Sequence, residues 1–114
     1  MQYLLLIYEN EQRFSTLSQE ALGAEVGEYR SFGDQFNPAI LGGNALQPTS
    51  TASTVRVRNG KSLITDGPFA ETKEQLGGYY LVEATDLDQA LAMAEKIPGA
   101  RYGSIEVRPI MTFS

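Results

Sequence analysis

The chain has 114 residues and contains neither cysteine nor histidine. Without cysteine there is no disulfide, no thiolate metal site and no cysteine nucleophile, so stability must come from packing and no oxidising compartment is needed. Without histidine the usual general base near neutral pH is gone, together with the common zinc ligand and any Ser-His-Asp or Cys-His arrangement. Basic residues are scarce as well: nine Lys and Arg stand against fourteen Asp and Glu, for a net charge of −5. A surface of that sign repels phosphate backbones and anionic membranes on average, so direct nucleic-acid or membrane binding is not expected. Long hydrophobic runs are missing too. The N-terminal "MQYLLLIYENEQ" holds an apolar stretch of about seven residues, where a membrane span takes about 20, and it lacks a basic leader and a small-residue cleavage site. The expected location is the cytoplasm.

What is present fits a single domain over residues 1–114, with 42% hydrophobic residues to fill one core and no linker, repeat or low-complexity tract. "QYLLLIY" (2–8) reads as a strand covered on both faces. From about Ser18 to Phe36, the spacing of Leu22, Val26, Tyr29 and Gly33 or Phe36 predicts an amphipathic helix, with Glu20, Glu25 and Glu28 among the outward residues. Gly23 and Gly27, one turn apart, either admit a neighbouring backbone or are simply tolerated. Pro38 ends the helix, and "AILGGNAL" is a short strand broken by Gly42-Gly43. "STVRVRNGKSLIT" places Asn-Gly between two alternating segments and predicts a hairpin with strands near 53–58 and 61–65. "GGYYLVEA" (77–84) is a further strand. "DLDQALAMAEKI" is a helix capped by Asp86 with Gln89 three residues on, and "GSIEVRPI" (103–110) is the last strand.

The order β-α-β-β-β-β-α-β gives an α+β fold, an antiparallel sheet with two helices on one face. An apolar strand needing cover on both sides implies that a second copy packs against the open face, a homodimer with two-fold symmetry.

Two stretches carry candidate chemistry. Thr54, Arg56 and Arg58 alternate with Val55 and Val57, and Glu106 and Arg108 alternate with Ile105 and Val107. If those strands are neighbours, the charged residues form either a solvated ion-pair network or a site for a small anionic ligand. "TDGPFAETKE" (65–74) contains a reverse turn at Asp66-Gly67-Pro68-Phe69. Asp66 is either the turn's anchor or a carboxylate that accepts a proton, and Phe69 and Tyr79 are either packing residues or pocket walls. No metal site is expected: Asp66, Glu71 and Glu74 lack the oxygen spacing of a calcium loop.

"DGPFAETKEQLGGYY" together with "EVRP" and the N-terminal "MQYLLLIYEN" resembles the DGPF-type branch of the YCII-related family over nearly the whole chain. The resemblance implies a ferredoxin-like domain forming a dimeric α/β barrel. The family's founding branch has a His and Asp pair suspected of catalysis, which cannot be carried over to a chain without histidine. Members of the DGPF branch often lie in genomes beside extracytoplasmic-function sigma factors, so the resemblance also implies a link to transcription regulation through protein contacts. Two functions are therefore expected as alternatives. One is a dimeric small-molecule-binding domain, with or without weak catalysis through Asp66, with Arg56, Arg58 and Arg108 holding an anion and Phe69 and Tyr79 as walls, and no cofactor. The other is a non-catalytic interaction module with a protein partner.

Overall fold

In the computed structural model, which describes residues 1–113, the chain forms one four-stranded antiparallel sheet, a two-stranded arm and two helices. The sheet consists of β1 (Gln2–Glu9), β2 (Ile40–Ala45), β5 (Gln75–Glu83) and β6 (Ser104–Pro109), in the order β2-β5-β1-β6. The arm pairs β3 (Ser53–Arg58) with β4 (Lys61–Asp66). α1 (Gln19–Phe36) and α2 (Leu87–Glu95) supply the residues that pack on the sheet, and short 3-10 turns lie at Glu11–Thr16, Thr49–Thr51 and Pro98–Arg101.

Local chemistry explains where these elements start. The Ser18 hydroxyl accepts the Ala21 N–H at 3.1 Å and caps α1. The Asp86 carboxylate accepts the Gln89 N–H at 2.9 Å, and the Gln89 side chain reaches back to the Thr85 N–H at 2.6 Å, a reciprocal cap for α2. Asn59 and Gly60 both have positive φ, 52° and 74°, the turn that fits the twist of a tight hairpin.

Burial alternates along β1. Tyr3, Leu5 and Ile7 are buried and pair with Val82, Tyr80 and Gly78 of β5. With Phe32 of α1 and Ala90, Met93, Ala94 and Ile97 from α2 and its end, they form the core. Sheet order and one-sided helices make the domain ferredoxin-like. Leu4, Leu6 and Tyr8 point to the other face and are only half-buried, so within the chain β1 is covered on one side. The arm pairs with no strand of the main sheet, so β3 and β6 are not neighbours and the expected shared face of Arg56, Arg58, Glu106 and Arg108 does not form.

The inward face of α1 is rotated from the expected one. It runs Leu22, Glu25, Tyr29, Phe32, Phe36, with Glu25 7% exposed and Val26 56% exposed. A carboxylate takes the place expected of a valine because an arginine meets it inside, as described below. Gly23 and Gly27 have nothing within 4 Å of where a side chain would start, so neither admits a neighbouring backbone in this chain. Gly27→Ala is accordingly expected to stabilise the protein by about 0.5–1 kcal/mol through helix propensity. A denaturant midpoint that falls instead would show that something packs on that surface. Among the described residues no helix is long and apolar enough to cross a membrane.

Candidate functional site

Between α1 and the β2–β5 edge of the sheet lies a cavity of about 600 Å³, within the range of small-molecule sites. Its floor is Ile7, Gly78 and Tyr80, α1 contributes Val26 and Tyr29, and Phe14 comes from the first 3-10 turn. The segment Leu46–Pro48 borders it on the far side. Close strand packing makes that floor. A side chain on Gly43 would begin 2.6 Å from the Tyr79 carbonyl oxygen and 2.8 Å from the Tyr80 ring, so only glycine fits there.

The border segment is tied to the β1 end of the cavity by Glu11. Its carboxylate accepts the Thr49 N–H at 3.1 Å and the Thr49 hydroxyl, while its own N–H donates to the Gln75 side chain at 2.9 Å. Gln75 opens β5 and Thr49 lies between β2 and β3, so Glu11 ties the border segment to the edge of the sheet.

The polar centre of the wall is Glu9, only 6% exposed. Glu9 continues the inward parity of Tyr3, Leu5 and Ile7, and the chain then turns through a 3-10 segment capped by Asn10. That turn brings Arg13 back, its Nη1 3.8 Å from Glu9 Oε2, while its Nη2 donates to Glu25 Oε1 at 2.9 Å. The Arg13 guanidinium also stacks on Tyr102, 3.6 Å from the ring centroid. Among the described residues Glu9 Oε1 and Arg13 Nη1 are buried without a hydrogen-bond partner. Gly99 closes the back of the cluster, because a side chain there would run into Glu9 Oε1 and lie 2.8 Å from the Tyr29 hydroxyl.

These surroundings shift the local acidities. Burial, then the Glu25 charge, push the Glu9 carboxyl above its ordinary value of 4.5; Arg13 opposes them and Glu74 adds to them. Burial and then the Glu9 charge raise Tyr29 well above the usual phenol range, partly offset by its hydrogen bond with the Gly99 backbone. Burial opposes the Arg13 charge, yet the Glu25 hydrogen bond and the two carboxylate charges hold its pKa above the ordinary arginine value. A carboxyl displaced upward at a cavity wall is a group suited to giving or taking a proton.

Of the candidate site residues named from the sequence, Tyr79 alone borders this cavity, with its hydroxyl accepting from Asn44 Nδ2 at 2.8 Å. Arg56 and Asp66 are exposed on the arm, and Arg58 donates to its neighbour's carbonyl at 3.0 Å. Arg108 is exposed on β6, opposite Leu4, and pairs with Glu106 on its own strand. Phe69 is 78% exposed. At the DGPF turn the working groups are backbone: Gly67 has φ 103°, its N–H donates to the Ala52 carbonyl at 2.7 Å, and its carbonyl accepts the Thr54 hydroxyl at 2.8 Å. Among the described residues the Asp66 carboxylate makes no hydrogen bond or ion pair. Asp66→Asn is therefore expected to change stability by less than about 0.5 kcal/mol. A larger drop in a urea titration would assign that carboxylate a structural part.

Sequence reasoning passed over Glu9, Arg13, Glu25 and Tyr29 as a group. The available signal was a glutamate at the inward register of an apolar strand with an arginine four residues on. Among the described residues no cluster of three or more acidic side chains is arranged to hold a metal ion.

Comparison with known proteins agrees with this architecture. The chain is 39% identical over 122 aligned residues to an uncharacterized protein of Rhizobium meliloti (strain 1021), covering 99% of this chain and 94% of that one. Its fold is similar to that of the 5-chloro-2-hydroxyhydroquinone dehydrochlorinase TftG of Burkholderia phenoliruptrix AC1100, solved in complex with 2,5-dihydroxybenzoquinone, with a TM-score of 0.51 and 13% identity over 97% of this chain and 94% of that one. The YCII-related domain matches residues 1–114 from end to end, and the chain belongs to that family.

Proposed function

We propose that this protein binds a small, largely apolar, ring-bearing molecule in the cavity beneath α1, and that Glu9 is the group that exchanges a proton with it. The observation that carries this reading is a carboxylate, almost wholly buried, set in the wall of a mostly apolar cavity, with one oxygen that has no hydrogen-bond partner among the described residues. Burial of that kind is costly unless something uses it. The aromatic walls Phe14, Tyr29 and Tyr80 suit the faces of a ring. A similarly folded dehydrochlorinase is solved with a single-ring quinone, which supports the reading by analogy of fold.

The test is an amide NMR screen of single-ring compounds, run beside Val26→Trp. Val26 borders the cavity from an exposed position, so the larger ring fills the space without disturbing the core. Shifts at Glu9, Tyr29, Gly43 and Gly78 that vanish in the variant are expected. Ligands that bind the variant equally well, or that map to the arm around Asp66, would overturn the reading.

A second feature favours self-association. Val55, Val57, Ile64 and Phe69 on the arm are all well exposed, as are Met111 and Phe113 after β6. With Leu4, Leu6 and Leu81 on the uncovered sheet face, they make more exposed apolar surface than an isolated domain normally shows. The proposed partner is a second copy, sheet face to sheet face, with the arms reaching across in a dimeric α/β barrel.

A further inference from the structure

The charges around Glu9 do not balance. β1 presents Glu9 itself, α1 presents Glu25 and Tyr29, and the turn after β1 presents Arg13. Glu74, just before β5, adds another negative charge near Glu9, while β5 offers Tyr80, Gly99 offers only backbone, and Tyr102 stacks on Arg13. Among the described residues Arg13 is thus the single cation paired with the two buried carboxylates, and its short hydrogen bond goes to Glu25. Glu9 Oε1 has no hydrogen-bond partner among the described residues. Among the described residues no Lys or Arg borders the cavity, and the other carboxylate there, Glu11, is occupied by Thr49. A carboxylate that shares its one cation with a second carboxylate in an apolar cavity is only partly compensated and calls for either a proton or a further cation, and aromatic faces beside it attract cations.

We infer that the cavity selects an amine cation: a protonated amine carried on a small ring or short apolar group, its ammonium against Glu9 and its apolar part against Tyr29, Tyr80 and Val26. This rests on the cavity being a ligand site and adds the charge of the ligand. The upward displacement of the Glu9 carboxyl gives a consequence: the ammonium competes with a proton, so affinity rises with pH while Glu9 ionises.

Three compounds of matched size separate the outcomes: 2-phenylethylamine, cationic at neutral pH, neutral 2-phenylethanol, and anionic phenylacetate. Titrated by calorimetry into the intact protein, the amine is expected to bind at least about tenfold more tightly than the alcohol, with phenylacetate weakest. Glu9→Gln should abolish the preference for the amine while the alcohol still binds, and the wild-type preference should grow as pH rises above the ordinary carboxylate range. Equal binding of amine and alcohol, or a preference for phenylacetate, would refute the cation inference and leave the cavity reading standing. If none of the three binds wild type and none of the ring compounds in the NMR screen does, both readings fall. The wild-type comparison is decisive whether or not the Gln variant folds.

Discussion

Arg13→Ala is expected to cost about 3 kcal/mol of folding stability at pH 7, because it leaves two buried carboxylates without their cation. For a domain of this length that lowers the melting temperature by roughly 10 °C. Arg13 is itself partly exposed, which keeps the expectation at the low end for a broken buried pair. The loss should depend on pH. Glu9 folds with its carboxyl above the ordinary 4.5, so the folded protein holds that proton more tightly than the unfolded chain. Its contribution to stability therefore declines as pH rises from about 4.5 upward. Arg13 is the one neighbour acting to lower the Glu9 value, and without it the decline steepens toward neutrality. Guanidinium titrations at about pH 4 and at pH 7 should show a smaller loss in acid than at neutral pH. An identical loss at both would mean that stacking on Tyr102, not charge, is what the arginine supplies.

Leu5→Ala should cost about 3 kcal/mol or more, at any protein concentration, since Leu5 is 0% exposed at the centre of the core and a cavity would replace it. Its neighbours in sequence should behave differently. Leu4 and Leu6 point to the opposite face, where Leu6 lies across from Tyr79 on one side and Glu106 on the other. A lysine at position 6 keeps its stem on that face and its charge in water while the chain is alone. Under the proposed dimer the same charge is buried between two sheets. Leu6→Lys is then expected to leave a folded monomer whose sedimentation no longer depends on concentration, whereas Leu5→Ala keeps the association and loses stability. A Leu6→Lys protein that still dimerises would remove the sheet face from the interface.

The order of strands and helices was legible because it rests on short-range signals: apolar runs in β1 and β5, alternation in β3 and β6, the Asn59-Gly60 turn, and the cap at Asp86. A sheet with two helices on one face followed from that order, and the family resemblance implied its ferredoxin-like arrangement. The helix phase was harder. Glu25 and Val26 are adjacent, and hydropathy alone turns the valine inward; only the arrival of Arg13 from the preceding turn reverses them. The cavity was hidden for a related reason. Its wall draws on β1, the first turn, α1, the segment before Thr49 and β5, residues that come together through the register of non-adjacent strands. The loop that stood out in the sequence did so through turn chemistry, and Gly67 shows that chemistry at work in its backbone.

β1 is the first of the six strands to be synthesised and a central strand of its sheet. Its two neighbours are Gln75–Glu83 and Ser104–Pro109, so "QYLLLIY" leaves the ribosome long before either is available. At about 5–20 residues per second that wait is several seconds. An uncharged, proline-free segment of strong β propensity with both edges bare is the type that pairs with other chains. The polar "ENEQR" that follows works as a gatekeeper in that interval. High contact order makes closure of the sheet slow, and the yield of soluble protein is decided by a race between the last strand and intermolecular pairing of the first.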